Sequence, residues 1–197
     1  APELGGLAGA HGLLVTAAAL RLPATPLLGR WACLHMDGAG FAGDLRARAD
    51  EALPFLDDVF RVVLLSHALE HAPSAVDLLD EATRVLAPEG LLLVTGFHPL
   101  SAWAPWLLCQ GRQRPWLAGP AWLRARLAAR GVQTYAVRRF GPPVPGTAAM
   151  PGPAWLGGGF LLLARKHRAA VRPLRGTVRN GRVAVGAFAP GARRECA

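Results

Sequence analysis

The chain has 197 residues, 52% of them hydrophobic and 18% charged, which excludes a disordered protein and fits one domain with a real core plus a short tail. Its 22 basic against 13 acidic residues give a formal charge of +9, suited to nucleic acid, anionic lipid or an acidic partner, yet Lys166 is the only lysine and the Ala-, Gly- and Pro-rich background makes part of that charge compositional. Cys33, Cys109 and Cys196 are widely spaced and form no C-x-x-C pair, which argues against a disulfide framework and a thiolate zinc site and fits a reducing cytoplasm.

The N-terminal segment "APELGGLAGAHGLLVTAAAL" carries Glu3 where a signal peptide has a basic flank. Within it, "GLLVTA" (Gly12–Ala17) is a short apolar run that predicts a buried strand. "WACLHMD" (Trp31–Asp37) predicts another strand, stopped by the turn-forming "DGAG". "EALPFLDDVF" reads as loop, because Pro54 removes a donor and Asp57 and Asp58 sit where the chain turns, and "RVVLL" (Arg61–Leu65) then has strand length and composition.

"SAVDLLDEATRVLAPEG" predicts a helix with Ser74 as N-cap, Val76, Leu78, Leu79, Ala82, Val85 and Leu86 at helical spacing, and a stop at Pro88 and Gly90. "LLLVTGF" (Leu91–Phe97) is an apolar strand. "PAWLRARLAARG" predicts a second amphipathic helix with Trp122, Leu123, Leu127 and Ala128 inward, Arg124, Arg126 and Arg130 outward, and Gly131 at its end. "VQTYAVRRF" and "GGFLLLARK" are late strands. These elements define a domain over residues 1–167, followed by a basic, flexible C-terminal tail over 168–197.

Two stretches without Asp, Glu, Lys or Arg, Gly90–Gly111 and Gly141–Ala164, are long enough to span a bilayer. Both are interrupted by proline, so strand plus loop is the reading of each, and the expectation is a soluble protein with no transmembrane segment. Contact with a membrane surface through the Trp-rich segment is the alternative.

Apolar strands separated by amphipathic helices imply a mostly parallel sheet with helices on both faces. Sites in such sheets lie at the carboxyl ends of the strands, which puts Ser66 and His67, directly after "RVVLL", at the expected place. The same stretch, "LLSHALEHAP", also spells H-x-x-E-H through His67, Glu70 and His71, the inverted zinc-protease order. Zinc would need both histidines on one helical face and a third protein ligand. The motif instead begins at a strand end, Pro73 breaks any helix after it, and the acidic residues well downstream, Glu89 and Glu195, sit in a turn and in the tail. No metal is therefore expected.

The run "EALPFLDDVFRVVLLSHALEHAPSAVDLLDEATRVLAPEGLLLVTGFHPLSAW", residues 51 to 103, resembles the core of class I S-adenosylmethionine-dependent methyltransferases of the type 11 group. The shared elements, in order, are an E-A-L-P-F loop, a D-x-x-F turn, a strand, a histidine-containing loop, a helix ending R-V-L-x-P-x-G and another apolar strand. The resemblance implies a Rossmann-like α/β fold closed by an antiparallel strand pair. It also implies S-adenosylmethionine as cofactor across the strand ends, with catalysis by positioning donor and acceptor in a dry pocket. By the same resemblance Ser66 and His67 lie near the cofactor, Asp37 holds the ribose hydroxyls, and Asp50 meets the adenine. A turn role for Asp37 is equally open, the spacing before E-A-L-P-F is one residue short for Asp50, and His71 matches a histidine frequent in the group, with local packing as its other reading.

The chain departs from the family where a Gly-rich loop should follow the first strand: Ala17, Ala18 and Ala19 stand there, and Gly5, Gly6, Gly9 and Gly12 precede the strand. Two readings follow, an active methyltransferase with a divergent donor loop and a methyltransferase-like module that binds or regulates without transferring methyl groups. The acceptor expected for the enzyme is a small molecule, capped by Trp103, Trp106 and Trp116 or with those tryptophans merely packing a loop on the sheet. Nucleic acid is the weaker partner, because the arginines are not interleaved with aromatics and no Asn/Asp-Pro-Pro-aromatic motif follows the central strand. The sequence names no catalytic residue and no oligomeric state.

Overall fold

Eight strands form one sheet in the order β4-β3-β2-β1-β5-β6-β8-β7. The computed structural model describes residues 11–18, 30–38, 40–109, 116–145 and 157–167, and the tail expected at 168–197 lies outside them. The strands are β1 (His11–Thr16), β2 (Arg30–Asp37), β3 (Gly40–Gly43), β4 (Ala47–Arg48), β5 (Phe60–Ser66), β6 (Leu86–Phe97), β7 (Val132–Phe140) and β8 (Gly159–Lys166), with helices α1 (Ala75–Val85), α2 (Trp103–Cys109) and α3 (Pro120–Ala129).

The central strands β2, β1, β5 and β6 are parallel. Beyond β6, strand β8 is antiparallel to it and to β7, the closing pair expected from the sequence. Beyond β2 lies a short antiparallel meander of β3 and β4 that the sequence reading did not place. Its strands are only four and two residues long, the first with glycine at both ends, so no alternation marks them.

One face of the sheet carries the main core. Leu13, Val15, Val63, Leu65, Leu92, Val94 and Leu162 pack with Leu78, Leu79 and Ala82 of α1 and with Leu123 and Leu127 of α3. The opposite face holds a smaller cluster, Val62 and Leu91 with Trp31 and Leu93. Gly12 in β1 belongs there, since a Cβ on it would lie 2.7 Å from the Trp31 ring.

Ser74 caps α1 as expected, its side chain accepting from the Asp77 N–H. The helix ends at Val85, three residues before Pro88, because the chain is drawn directly into β6 from Leu86 onward. In α3, Leu123 and Leu127 face the core as predicted, whereas Ala128 is exposed. Arg126 turns inward to pair with Asp80 at 2.7 Å and so leaves the solvent face assigned to it. The segment around Pro105, read as loop, contains the short α2, which accommodates proline because it falls in the first turn where no N–H is needed.

Candidate active site

The sheet order places the topological switch at β1, whose neighbours are β2 on one side and β5 on the other. In open α/β sheets ligands bind in the crevice outside the carboxyl ends of the strands at such a switch. Thr16 pairs with Ser66 across it, and the Ala17 N–H donates to the Ser66 carbonyl at 3.3 Å. The Thr16 hydroxyl donates to the Ala18 carbonyl directly after the strand.

Asp37 closes β2 one strand away and also opens a two-residue turn, since it pairs directly with Gly40 and Gly38 adopts φ +58°. The ribose role and the turn role are therefore compatible. Its exposed carboxylate makes no hydrogen bond or ion pair among the described residues.

Asp50 follows β4, which runs in the same direction as β2 but two strand spacings from it, about 10 Å. Arg48 grips it with two hydrogen bonds of 2.9 Å and holds its carboxyl below the ordinary range. Asp50 borders a cavity of about 220 Å³ together with Phe41, Leu53, Ser74, Asp77 and Glu81. The four residues expected at the cofactor are thus spread along the sheet: Ser66 and His67 at the end of β5, Asp37 at the end of β2 with β1 between them, and Asp50 beyond the inserted β3.

After β5 the chain does not become helical. Residues 67–73 form turns, and His67 adopts φ +52°, a left-handed conformation that costs a non-glycine residue about 1 kcal/mol or more. Its N–H donates to the Thr95 carbonyl of β6. The helical face that a zinc pair requires does not exist, and His71 is exposed, so it neither packs in the core nor shares a site with His67.

Glu70, not singled out in the sequence beyond the zinc motif, is the buried member of this segment. Its side chain is 4% exposed, Oε1 accepts from the Phe97 N–H at 2.7 Å, and the same oxygen lies 3.6 Å from His67 Nδ1. Phe97 covers the imidazole at a centroid distance of 4.6 Å and stacks on Trp103 at 5.0 Å. Just beyond, burial and the Arg139 charge push the His98 imidazole below its usual range, which keeps it neutral at pH 7, and its Nδ1 accepts from the Leu100 N–H at 3.2 Å.

Of the tryptophans, Trp103 is tethered: its Nε1 donates to the Pro142 carbonyl at 2.9 Å, and its ring lies over Gly158, where a Cβ would come within 2.2 Å. Trp106 meets Trp103 edge-on at 5.4 Å and is 42% exposed. Trp116 packs against Trp122, a separate pair.

Parallel strands reversing direction of spread at β1, with an antiparallel pair inserted after β6, match known proteins. Residues 35–94 fit the family model of the methyltransferase domain. Over that span the chain is similar to the methyltransferase domain family, and its fold is that of class I methyltransferases. The matched span runs from the end of β2 to the middle of β6 and includes Asp37, Asp50, Ser66, His67 and Glu70.

Among solved structures, a candidate methyltransferase from Bacillus halodurans C-125 superposes with a TM-score of 0.61 at 15% identity, covering 85% of this chain and 97% of that one. A chain of the complex between the Haloferax volcanii Trm112 methyltransferase activator and its candidate methyltransferase gives 0.58 at 16% identity, covering 85% and 88%. At these identities the likeness is one of fold. A curated relative, the uncharacterized Escherichia coli (strain K12) protein YafS, is 45% identical over 49 residues, which span 25% of this chain and 20% of YafS. No described helix of this methyltransferase-domain chain is long and apolar enough to cross a membrane.

Proposed function

We propose that this domain transfers a methyl group from S-adenosylmethionine to a small-molecule acceptor. The observation that carries the reading is the switch at β1, between β2 and β5, with the Asp37 carboxylate, unengaged among the described residues, on its β2 side. Asp37 would hold the ribose hydroxyls, Ser66 and the His67 backbone would line the crevice, and Asp50 would reach the adenine only from beyond Arg48. The donor supplies an electrophilic methyl group on sulfur; the protein's part is to orient it and keep water away.

A small flat acceptor fits the exposed Trp106 and the Phe97–Trp103 stack beside His67 better than a polymer does. A working place in a reducing cytoplasm agrees with the unpaired Cys33 and Cys109. The test is incubation of the protein with methyl-labelled donor and a deproteinised small-molecule extract. Label is expected in the low-mass fraction, lower with Asp37→Ala. Label confined to macromolecules would refute the small-molecule clause.

One observation favours the second reading, a binding or regulatory module without methyl transfer: Ala17 and Ala18, not glycine, form the turn after β1. The fold itself does not decide, since a chain superposing with a TM-score of 0.50 at 16% identity is SpnF, named a [4+2]-cyclase. No label transfer to either fraction would support the module.

A further inference from the structure

We propose that Glu70 positions the His67 imidazole to take a proton from the methyl acceptor, so that the acceptor belongs to the class that must lose a proton as it is alkylated, a hydroxyl or an N–H compound. The proposal rests on the methyl-transfer reading above. Its starting point is a pair of buried atoms with nothing to bond. His67 Nδ1 and Glu70 Oε2 are both inaccessible to solvent and have no hydrogen-bond partner among the described residues, although Nδ1 stands only 3.6 Å from Glu70 Oε1. Buried polar atoms are almost always satisfied, because each orphan costs about 1–3 kcal/mol.

The surroundings are built to keep the carboxylate there. The Phe97 N–H fixes Oε1 at 2.7 Å. Position 96 is glycine, and a Cβ on it would lie 2.6 Å from that same oxygen. On the other side His67 is held in the strained φ +52° conformation by its own N–H bond to Thr95, which turns the ring towards Glu70 and Phe97. A carboxylate needed only to cap the Phe97 amide would account for the glycine but not for a histidine facing it.

With Nδ1 buried and Phe97 over one face, the 29% of the His67 side chain that is exposed lies on the side away from Nδ1, at the carboxyl ends of β5 and β6. A small rotation brings Nδ1–H onto Glu70, and such catalytic contacts are commonly long before substrate binds. Nε2 then carries a free lone pair outward. In the transfer, the acceptor's heteroatom lone pair forms the bond to the methyl carbon while the carbon–sulfur electron pair stays on sulfur. The heteroatom's proton passes to Nε2, the Glu70 carboxylate balances the imidazolium, and the proton leaves to solvent. Glu70 is the positioning residue and His67 the proton acceptor.

The test reads the tautomer of His67 directly, by nitrogen NMR on protein labelled with ¹⁵N-histidine at alkaline pH, the resonance assigned by its loss in His67→Asn. Expected is a protonated Nδ1 and a bare Nε2 in the wild type. Two variants should each revert to the Nε2–H form that free histidine prefers: Glu70→Met removes the carboxylate, and Gly96→Ala displaces it intact. A wild-type Nε2–H ring, or a tautomer unchanged in both folded variants, overturns the proposal. Donor titration of the same wild-type sample separates the two claims. Donor binding with the wrong tautomer removes Glu70 as positioning residue and leaves methyl transfer standing. The right tautomer without donor binding removes methyl transfer and with it the acid–base role of His67.

Discussion

In the proposed reading Asp37 serves fold and site together: it ends β2, starts the turn to Gly40, and has a carboxylate with no partner among the described residues. Replacing it by alanine should weaken S-adenosylmethionine binding by about 1.5–3 kcal/mol, the worth of hydrogen bonds to a charged group, with the far-UV spectrum unchanged. An unaltered dissociation constant removes it from the site. The tryptophans divide by role. Trp106→Ala should weaken acceptor binding more than donor binding, compared in parallel titrations. Trp103→Ala should also lower the melting temperature, because it empties the place over Gly158 and frees the Pro142 carbonyl. At this scale the places of Asp37, Ser66 and His67 at strand ends were readable because each ends or follows a recognisable strand. Glu70 was not, since its meaning comes from Phe97 and Gly96 on β6, 27 residues away in the case of the Phe97 hydrogen bond.

Between elements, the arginine of the R-V-L-x-P-x-G run is the main joint. Arg84 donates to Glu81, to Asp57 and to the carbonyls of Leu53 and Phe55, so it ties the E-A-L-P-F loop to α1. Arg84→Met should cost about 2–3 kcal/mol in urea unfolding, because it strands four acceptors, two of them backbone carbonyls in a half-buried setting. The hydrogen bond from Arg84 holds the Glu81 carboxyl below its ordinary 4.5, aided by the Leu53 N–H and opposed by burial. A carboxyl depressed in the folded state adds stability that is complete above its unfolded value and is lost as pH falls through the folded one. The urea midpoint should therefore hold steady above about pH 5 and drop below it, and Glu81→Gln should flatten that drop.

Lys166 plays a corresponding part at the same, C-terminal end of α1, donating at 2.7 Å to Asp58 and to the Thr83 and Leu86 carbonyls that the helix terminus leaves unpaired. Lys166→Met should destabilise the fold by about 2 kcal/mol in the same assay. The helix and its cap were legible from Ser74 and the apolar spacing. The joints were not, because spacing along the chain does not say that β8 brings a lysine back to residues 83 and 86.

For the molecule as a whole, the alternation of apolar strands and amphipathic helices was enough to predict the central parallel strands, the antiparallel close followed from the family resemblance, and the family match covers residues 35–94, from β2 into β6. What escaped was the meander of β3 and β4, where tertiary pairing with β2 rather than local pattern decides the structure. That meander has a functional edge, since it sets Asp50 one strand farther from Asp37 than a direct β2–β4 neighbour would be. The central claim is that the β1–β5 crevice still holds the methyl donor with alanine in place of glycine. Calorimetric titration of the folded protein with S-adenosylmethionine, and separately with S-adenosylhomocysteine, tests it most directly. Saturable one-to-one binding of both, weakened by Asp37→Ala, is the predicted result; no heat from either ligand up to the limit of solubility would contradict it.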